Sequence, residues 1–112
     1  MRAGDLRHRI EIQHQVTPRD PVTLEFGEPE WQLFAKVWAQ VTPLSARDLI
    51  AAQAAQSEAT ARMVIRHRPG VLPTMRIVYR DELYSIEGPP LEDPKSGREY
   101  LTILVSKGVR DG

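Results

Sequence analysis

The chain lacks several features that would point to common functions. It contains no cysteine, which excludes disulfides, cysteine metal sites and thiol nucleophiles. Its 15 basic and 15 acidic residues cancel, so the basic balance of a free-standing DNA-binding domain is missing. No apolar run approaches the roughly 20 residues that span a bilayer, and the N-terminus has no apolar signal-peptide core. We therefore expect a soluble protein that makes no membrane contact.

Patterns typical of catalysis are also missing. No serine lies in a Gly-x-Ser-x-Gly elbow, and the glycines are scattered singly instead of forming a phosphate-binding loop. His8 and His14 would lie about 20 Å apart along an extended strand, too far to share an ion. His67 stands between two arginines, a poor environment for a cation. We therefore predict no enzyme activity, no metal site and no cofactor, and consider a small hydrolase improbable.

The length of 112 residues indicates one domain over residues 1–112, and 41% hydrophobic with 27% charged residues is an ordinary globular composition. Apolar residues recur with period two, which is typical of strands. This alternation predicts about six strands, with these inward residues in chain order: Leu6, Ile10 and Ile12; Leu33, Ala35, Val37, Ala39 and Val41; Ala59, Ala61, Met63 and Ile65; Met75, Ile77 and Tyr79; Tyr84 and Ile86; Leu101, Ile103 and Val105.

Proline and glycine predict two long loops, at 17–30 and 88–98, and Arg80 to Leu83 is short enough for a hairpin turn. One segment departs from the alternation. Ser45 can cap a helix whose first turn contains Asp48, and the alanine-rich residues that follow are strong helix formers. The predicted fold is mainly β: a small antiparallel barrel or sandwich, with one short helix inserted at 44–56 between the second and third strands.

Arginines and tryptophans are the remaining candidates for a binding surface. If the third and fourth strands pair as a hairpin, five arginines would share one face: Arg62, Arg66, Arg68, Arg76 and Arg80. That face would contact DNA phosphates or a neighbouring subunit, or would simply be solvated. Trp31 and Trp38 are candidate interface aromatics, although Trp38 would alternatively pack beneath the inserted helix.

The ordered set of short motifs along the chain resembles the head–tail joining proteins of tailed bacteriophages, also called head-closure or stopper proteins. The resemblance extends from Gly4 to about Val105. Its pieces are Gly4-x-Leu6-x-x-Arg9-Ile10, Trp38-Ala39-x-Val41 with Pro43-Leu44-Ser45-x-Arg47, Ile65-Arg66-x-Arg68, Met75-Arg76-Ile77-x-Tyr79 and Tyr84-Ser85-Ile86. Ala46 and Asp48 depart from the glycine and glutamate that the family often has there.

The resemblance implies a structural, non-enzymatic protein of the virion, assembled in the bacterial cytoplasm. It implies a homo-oligomeric ring, six- or twelve-fold, below the portal or adaptor and above the tail terminator or tail tube. Such a ring closes the channel through which double-stranded DNA passes and provides the tail docking surface. By the same resemblance, the insertion would contact the channel or a partner through Leu44, Ser45, Arg47, Asp48, Leu49, Ile50, Gln53 and Gln56.

Two alternatives stay open. The chain could be a neighbouring connector component, an adaptor or a tail terminator, although an adaptor would be mostly helical. It could instead be a free β-barrel module that binds nucleic acid through the arginine face.

Overall fold

The computed structural model describes residues 3–92 and 99–108 of the chain. A 3-10 turn at Ala3–Asp5 precedes seven strands and one helix. In chain order these are β1 (His8–Val16), β2 (Glu30–Pro43), α1 (Ala46–Ala54), β3 (Ala61–Arg66), β4 (Arg76–Tyr79), β5 (Glu82–Ile86), β6 (Leu91–Glu92) and β7 (Tyr100–Lys107).

Six of the strands form a closed antiparallel barrel. Around the barrel the order is β3, β2, β1, β4, β5 and β7, and pairing of β3 with β7 completes the circle. Ala61 lies opposite Val105 and Arg66 opposite Tyr100 in that closing pair. The two-residue β6 is an extra strand on β7, where Leu91 lies opposite Thr102. The predicted fold class is confirmed, including the single short helix between β2 and β3.

Most of the barrel core consists of residues that the period-two pattern assigned to the inside, although Val64 and Val71 are also buried. The side chains with no solvent exposure include Ile10, Ile12, Met63, Ile65, Ile77, Ile103 and Val105. Every strand except β2 and β6 contributes at least one large apolar side chain to this core, and β2 contributes Ala35 and Ala39. Each buried isoleucine stabilises the fold by roughly 2–3 kcal/mol relative to an exposed position, so the barrel is held mainly by these layers.

A β-bulge in β2 overturns part of the predicted alternation. Ile12 lies opposite Ala35 but Gln13 lies opposite Leu33, so Phe34 is an extra residue on β2. The extra residue reverses the facing of the preceding side chains. Leu33, predicted to be inward, is 56% exposed, whereas Phe34 packs against the core instead.

The turn between β4 and β5 is the predicted hairpin. Tyr79 lies opposite Glu82, and the two connecting residues Arg80 and Asp81 both have positive φ angles, 51° and 62°. Two successive left-handed residues are the signature of a type I′ turn, which matches the twist of the flanking strands. This turn forms without glycine, although glycine or asparagine would adopt it with less strain.

The β1–β2 pair extends beyond the barrel and makes the molecule elongated. The extents are 52 × 30 × 27 Å and the radius of gyration is 15.5 Å, compared with about 13 Å for a compact domain of this length. The residues that join the two strands, 17–29, were predicted as part of a loop and form the end of this extension. The second predicted loop, 88–98, contains β6, and its residues 93–98 lie outside the described part of the chain.

Candidate interaction surfaces

The inserted helix begins where the sequence indicated, directly after Ser45, and it ends at Ala54. The Ser45 hydroxyl accepts a hydrogen bond from the Asp48 N–H at 3.2 Å, which caps the first turn. At the other end Gln56 adopts a left-handed φ of 60°, and the Ser57 N–H donates to the Ala52 carbonyl at 2.8 Å. Such a left-handed residue is a common way to end a helix.

The helix adds almost nothing to the core. None of its residues is buried, and Ile50 is 67% exposed. Of the eight predicted contact residues in this segment, Leu44 is buried and Leu49 half-buried. The other six are exposed: Ser45, Arg47, Asp48, Ile50, Gln53 and Gln56. The segment is therefore a surface projection on a barrel that closes without it.

The two ends of this projection are tied together at its base. The Leu44 N–H donates to the Thr60 carbonyl at 3.0 Å, directly above the Pro43–Ala61 pair of β2 and β3. The Thr60 N–H in turn donates to the Val105 carbonyl at 2.9 Å. Because the base is fixed by backbone hydrogen bonds, residues 46–56 are positioned by the barrel and remain available to a partner.

The third and fourth strands do not pair, so the condition for a single arginine face is not met. β3 and β4 are three strands apart in either direction around the six-stranded barrel, so they lie on opposite sides. Arg62, Arg66 and Arg68 belong to the β3 side, whereas Arg76 and Arg80 belong to the β4 side. β3 instead forms its backbone hydrogen bonds with β2 on one side and β7 on the other. Contact roles for these arginines stay predictions.

On the β3 side, one arginine joins a cation–aromatic row that crosses three strands. Arg9 lies opposite Trp38 in the β1–β2 pair, and its guanidinium is 5.1 Å from the centre of the indole ring. In the antiparallel β2–β3 pair, Ala39 lies opposite Ile65. Continuing this register by one residue places Arg66 beside Trp38. Trp38 is 53% exposed, so the alternative in which it is buried beneath the helix is wrong.

This row is part of an open depression of about 510 Å³, which we call the basic hollow. It is lined by Leu6, Arg9, Lys36, Val37, Trp38 and Arg66. Lys36 forms an exposed ion pair with Glu11 at 3.5 Å, a contact worth little in stability. With three basic side chains and one partly exposed indole, the hollow presents positive charge beside an apolar surface.

On the β4 side, the Arg76 side chain makes both a hydrogen bond and a cation–aromatic contact. Its Nε donates to Gln13 Oε1 at 2.7 Å, and its guanidinium lies 4.3 Å from the centre of the Trp31 ring. Partial burial lowers the pKa of Arg76 from its ordinary value, although an arginine remains charged at neutral pH. These contacts fix Trp31, the second predicted interface aromatic, at the root of the β1–β2 extension.

The end of that extension, residues 17–29, is a structured hairpin that we call the tip. An Arg19–Phe26 bridge closes it, and the Asp20 and Gly27 N–H groups donate across it to Glu25 and Pro18 carbonyls, at 2.8 and 2.7 Å. The Thr23 and Val22 N–H groups donate to the Asp20 carboxylate and lower its pKa. The segment predicted as part of a long loop is therefore an ordered hairpin.

The tip exposes three large apolar side chains to solvent. Val22 is 86% exposed, Phe26 68% and Leu24 58%. Exposed apolar side chains grouped in this way are typical of a protein-contact surface. The sequence signal was present in the pattern Val22-x-Leu24-x-Phe26, but the proline-rich context made it look like a solvated loop.

The histidines do not converge. The Tyr79 hydroxyl and His8 Nδ1 share a hydrogen bond of 2.8 Å, His14 contacts the Phe34 ring edge, and His67 lies 4.0 Å from Glu92. Among the described residues, no group of three or more His, Cys, Asp or Glu side chains is arranged to hold a metal ion. Within residues 3–92 and 99–108, no helix is long and apolar enough to cross a membrane.

The structure is a closed six-stranded barrel with a projecting helix, a projecting hairpin and a basic hollow. Comparison with known families identifies the kind of protein to which this barrel belongs. Residues 1–108 match the model of the phage head completion protein family, and the chain belongs to that family. It is a structural component of a phage-type virion and assembles with other virion proteins.

Two solved structures share the fold. Protein SF1141 from Shigella flexneri 2a is 32% identical, with a TM-score of 0.79, over 99% of this chain and 100% of that one. A chain of the native gene transfer agent virion is 18% identical, with a TM-score of 0.58, over 94% of this chain and 97% of that one. At that identity the second match shows a shared fold only. A search of the curated proteins gave no match.

Proposed function

We propose that the chain is a head-closure protein, which forms a homo-oligomeric ring below the portal or adaptor. The ring closes the DNA channel after packaging and presents the surface on which the tail docks. Membership of the phage head completion family and the fold shared with a gene transfer agent virion chain support this assignment. The ring, the closure and the docking role are the parts that go beyond family membership.

The observation that favours closure is the helix insertion at 46–56. Its helix buries no side chain, and its base is fixed to the barrel by the Leu44–Thr60 hydrogen bond. An element that is tied to the barrel at its base and has no fully buried side chain is suited to reach a neighbouring subunit or to extend into a channel. The alternative is that residues 46–56 are only a solvent-exposed linker between β2 and β3.

The test replaces residues 46–56 by two glycines in phage heads complemented with the variant protein. Because Pro43 and Ala61 remain paired, we expect the barrel to fold and to bind the head. Packaged DNA should become accessible to nuclease. A second variant keeps the length by replacing the same residues with an 11-residue Gly-Ser segment, and should also leak if the helix itself is required. Heads that retain DNA with both variants would refute the closure assignment.

A free nucleic-acid-binding module is less well supported. The arginines expected to form one face lie on opposite sides of the barrel, and the net charge of the chain is +0. The basic hollow combines an aromatic ring with three cationic side chains, as single-strand and phosphate sites do. If the hollow bound DNA, Arg66→Ala would weaken salt-dependent binding to duplex DNA, whereas Arg76→Ala on the opposite side would not.

The neighbouring connector roles are also less favoured. An adaptor is expected to be mostly helical, whereas the described residues contain one nine-residue α-helix and a β-barrel. Localising the protein within the head–tail junction by electron microscopy separates head closure from the tail-terminator role, because the two rings occupy different levels of the junction.

A further inference from the structure

The tip and the basic hollow have complementary character. The tip contains Asp20, Glu25 and Glu28 against a single basic residue, Arg19, which gives it a formal charge of −2. The hollow contains Arg9, Lys36 and Arg66, and the ion pair from Glu11 to Lys36 leaves it at +2. Both surfaces also expose apolar area, Val22 and Phe26 on the tip and Trp38 in the hollow.

The two glutamate carboxylates of the tip are available for such a contact, whereas the Asp20 carboxylate accepts hydrogen bonds from the Val22 and Thr23 N–H groups. Within the described residues, neither Glu25 nor Glu28 forms an ion pair, and the whole segment 17–29 is solvent-exposed. Arg19 is already engaged, because its Nε donates to the Leu24 carbonyl at 3.0 Å and its guanidinium lies over the Phe26 ring. The net negative charge of the tip is therefore presented outward together with its apolar side chains.

A single copy cannot bring these two surfaces together. The hollow includes Arg9 on β1, and the tip begins at Thr17, eight residues further along, which is roughly 26 Å of extended strand. Because β1 is hydrogen-bonded to β2 from His8 to Val16, the intervening ribbon is fixed. The tip therefore points away from the hollow of its own chain.

We propose that the tip of one copy docks in the basic hollow of the next copy. The hollow volume of about 510 Å³ lies in the range of roughly 300–1,000 Å³ typical of binding pockets, so it has room for apolar side chains of the tip. Two different patches on the same chain make a heterologous contact, and repetition of such a contact closes into a ring when the rotation between copies allows it. The inference rests on the proposed ring and identifies the surfaces that build it.

Disulfide cross-linking tests this contact directly, because the sequence contains no cysteine and the introduced thiols are the only ones in the protein. A double variant, Val22→Cys with Lys36→Cys, places one thiol on the tip and one in the hollow, and neither side chain supports the core. Oxidation of this variant in assembled heads should give a ladder of covalently linked copies, whereas each single variant should give no ladder. As a control, Val22→Cys with Gln53→Cys places the second thiol on α1, which is equally exposed, and should not form the ladder.

Charge reversal supplies a second measurement. Glu25→Lys and Arg66→Glu should each reduce the fraction of protein in rings, by about fivefold or more for a loss of about 1 kcal/mol per contact. Both substitutions in one chain should restore most of the fraction of protein in rings. If either single reversal left the ring yield unchanged, or the double variant gave no recovery, the tip-to-hollow contact would be refuted.

The outcomes also separate this contact from the proposed function. Rings that form on heads but give no Val22–Lys36 cross-link would overturn the contact and leave the head-closure assignment standing. No ring on heads, for the unaltered protein, would overturn the assignment itself. If Arg66→Glu abolished duplex DNA binding while cross-links were absent, the hollow would be a phosphate-binding surface and the proposed contact would be wrong.

Discussion

Gly70 provides the sharpest stability prediction, because two separable effects meet at this residue. Its φ angle is +89°, and a Cβ atom added there would lie 3.2 Å from Phe34 Cζ. A left-handed φ costs a non-glycine residue about 1–2 kcal/mol. The close approach to Phe34 adds a smaller repulsion, since carbon atoms prefer separations of about 3.5–4.0 Å. Alanine also lowers the conformational entropy of the unfolded chain, and this stabilises the folded state by about 0.4–1 kcal/mol.

The net expectation for Gly70→Ala is a loss of about 1–2 kcal/mol in the free energy of unfolding. Two other glycines isolate the contributions. Gly88 has a φ of +78° with nothing within 4 Å of the added Cβ, so Gly88→Ala reports the backbone strain alone. Gly4 has neither a positive φ nor a close neighbour, so Gly4→Ala should be neutral or slightly stabilising.

Urea denaturation followed by tryptophan fluorescence measures all three variants, with the slope m expected to be unchanged. The predicted order of stability is Gly4→Ala, then Gly88→Ala, then Gly70→Ala. If Gly70→Ala were as stable as Gly4→Ala, the reasoning from φ and contact distance would be refuted. Equal values for Gly70→Ala and Gly88→Ala would instead show that Phe34 moves aside without cost.

Three further predictions concern the turn, the helix cap and an ion pair. Replacing Arg80 and Asp81 by Asn and Gly should stabilise the type I′ turn by about 1 kcal/mol in urea denaturation, and a loss of stability would contradict the turn assignment. Ser45→Ala should remove about 1 kcal/mol from the helix, so its amide hydrogens should exchange about fivefold faster while those of the barrel stay unchanged. The hydrogen bond from Lys107 Nζ, at 3.1 Å, lowers the pKa of Glu82 from its ordinary value of 4.5. The resulting stabilisation is present above the ordinary pKa and is lost as the pH falls through the lowered pKa of the folded state. Lys107→Gln should therefore make the free energy of unfolding fall less steeply with decreasing pH, and an unchanged pH dependence would contradict this.

Local patterns predicted the parts of the fold that depend on neighbours in sequence. Alternation identified Ile10, Ile12 and Ile77 as core residues, because a strand with one buried face has period two. The Ser45 cap was readable because the hydroxyl and the amide that it accepts from are three residues apart. Both features are short-range, and both are present in the structure.

Features that depend on strand partners were not predictable in the same way. The bulge at Phe34 arises from the register between β1 and β2. The alternation of apolar residues along a single strand carries no information about that register. The single arginine face depended on β3 pairing with the next strand along the chain, but the partners of β3 are β2 and β7. The row of Arg9, Trp38 and Arg66 crosses three strands, so only the combined register brings its members together. The functional roles of these residues remain predictions.

The closed base of the helix insertion has a consequence for how such a protein changes over evolution. The barrel is complete without residues 46–56, and the flanking strands are joined by their own backbone hydrogen bonds. Substitutions, insertions or deletions in this segment should therefore alter partner contacts at little cost to folding. Under the proposed function, the same barrel could be adapted to portals and tails of different shape, because stability and recognition would then depend on different residues.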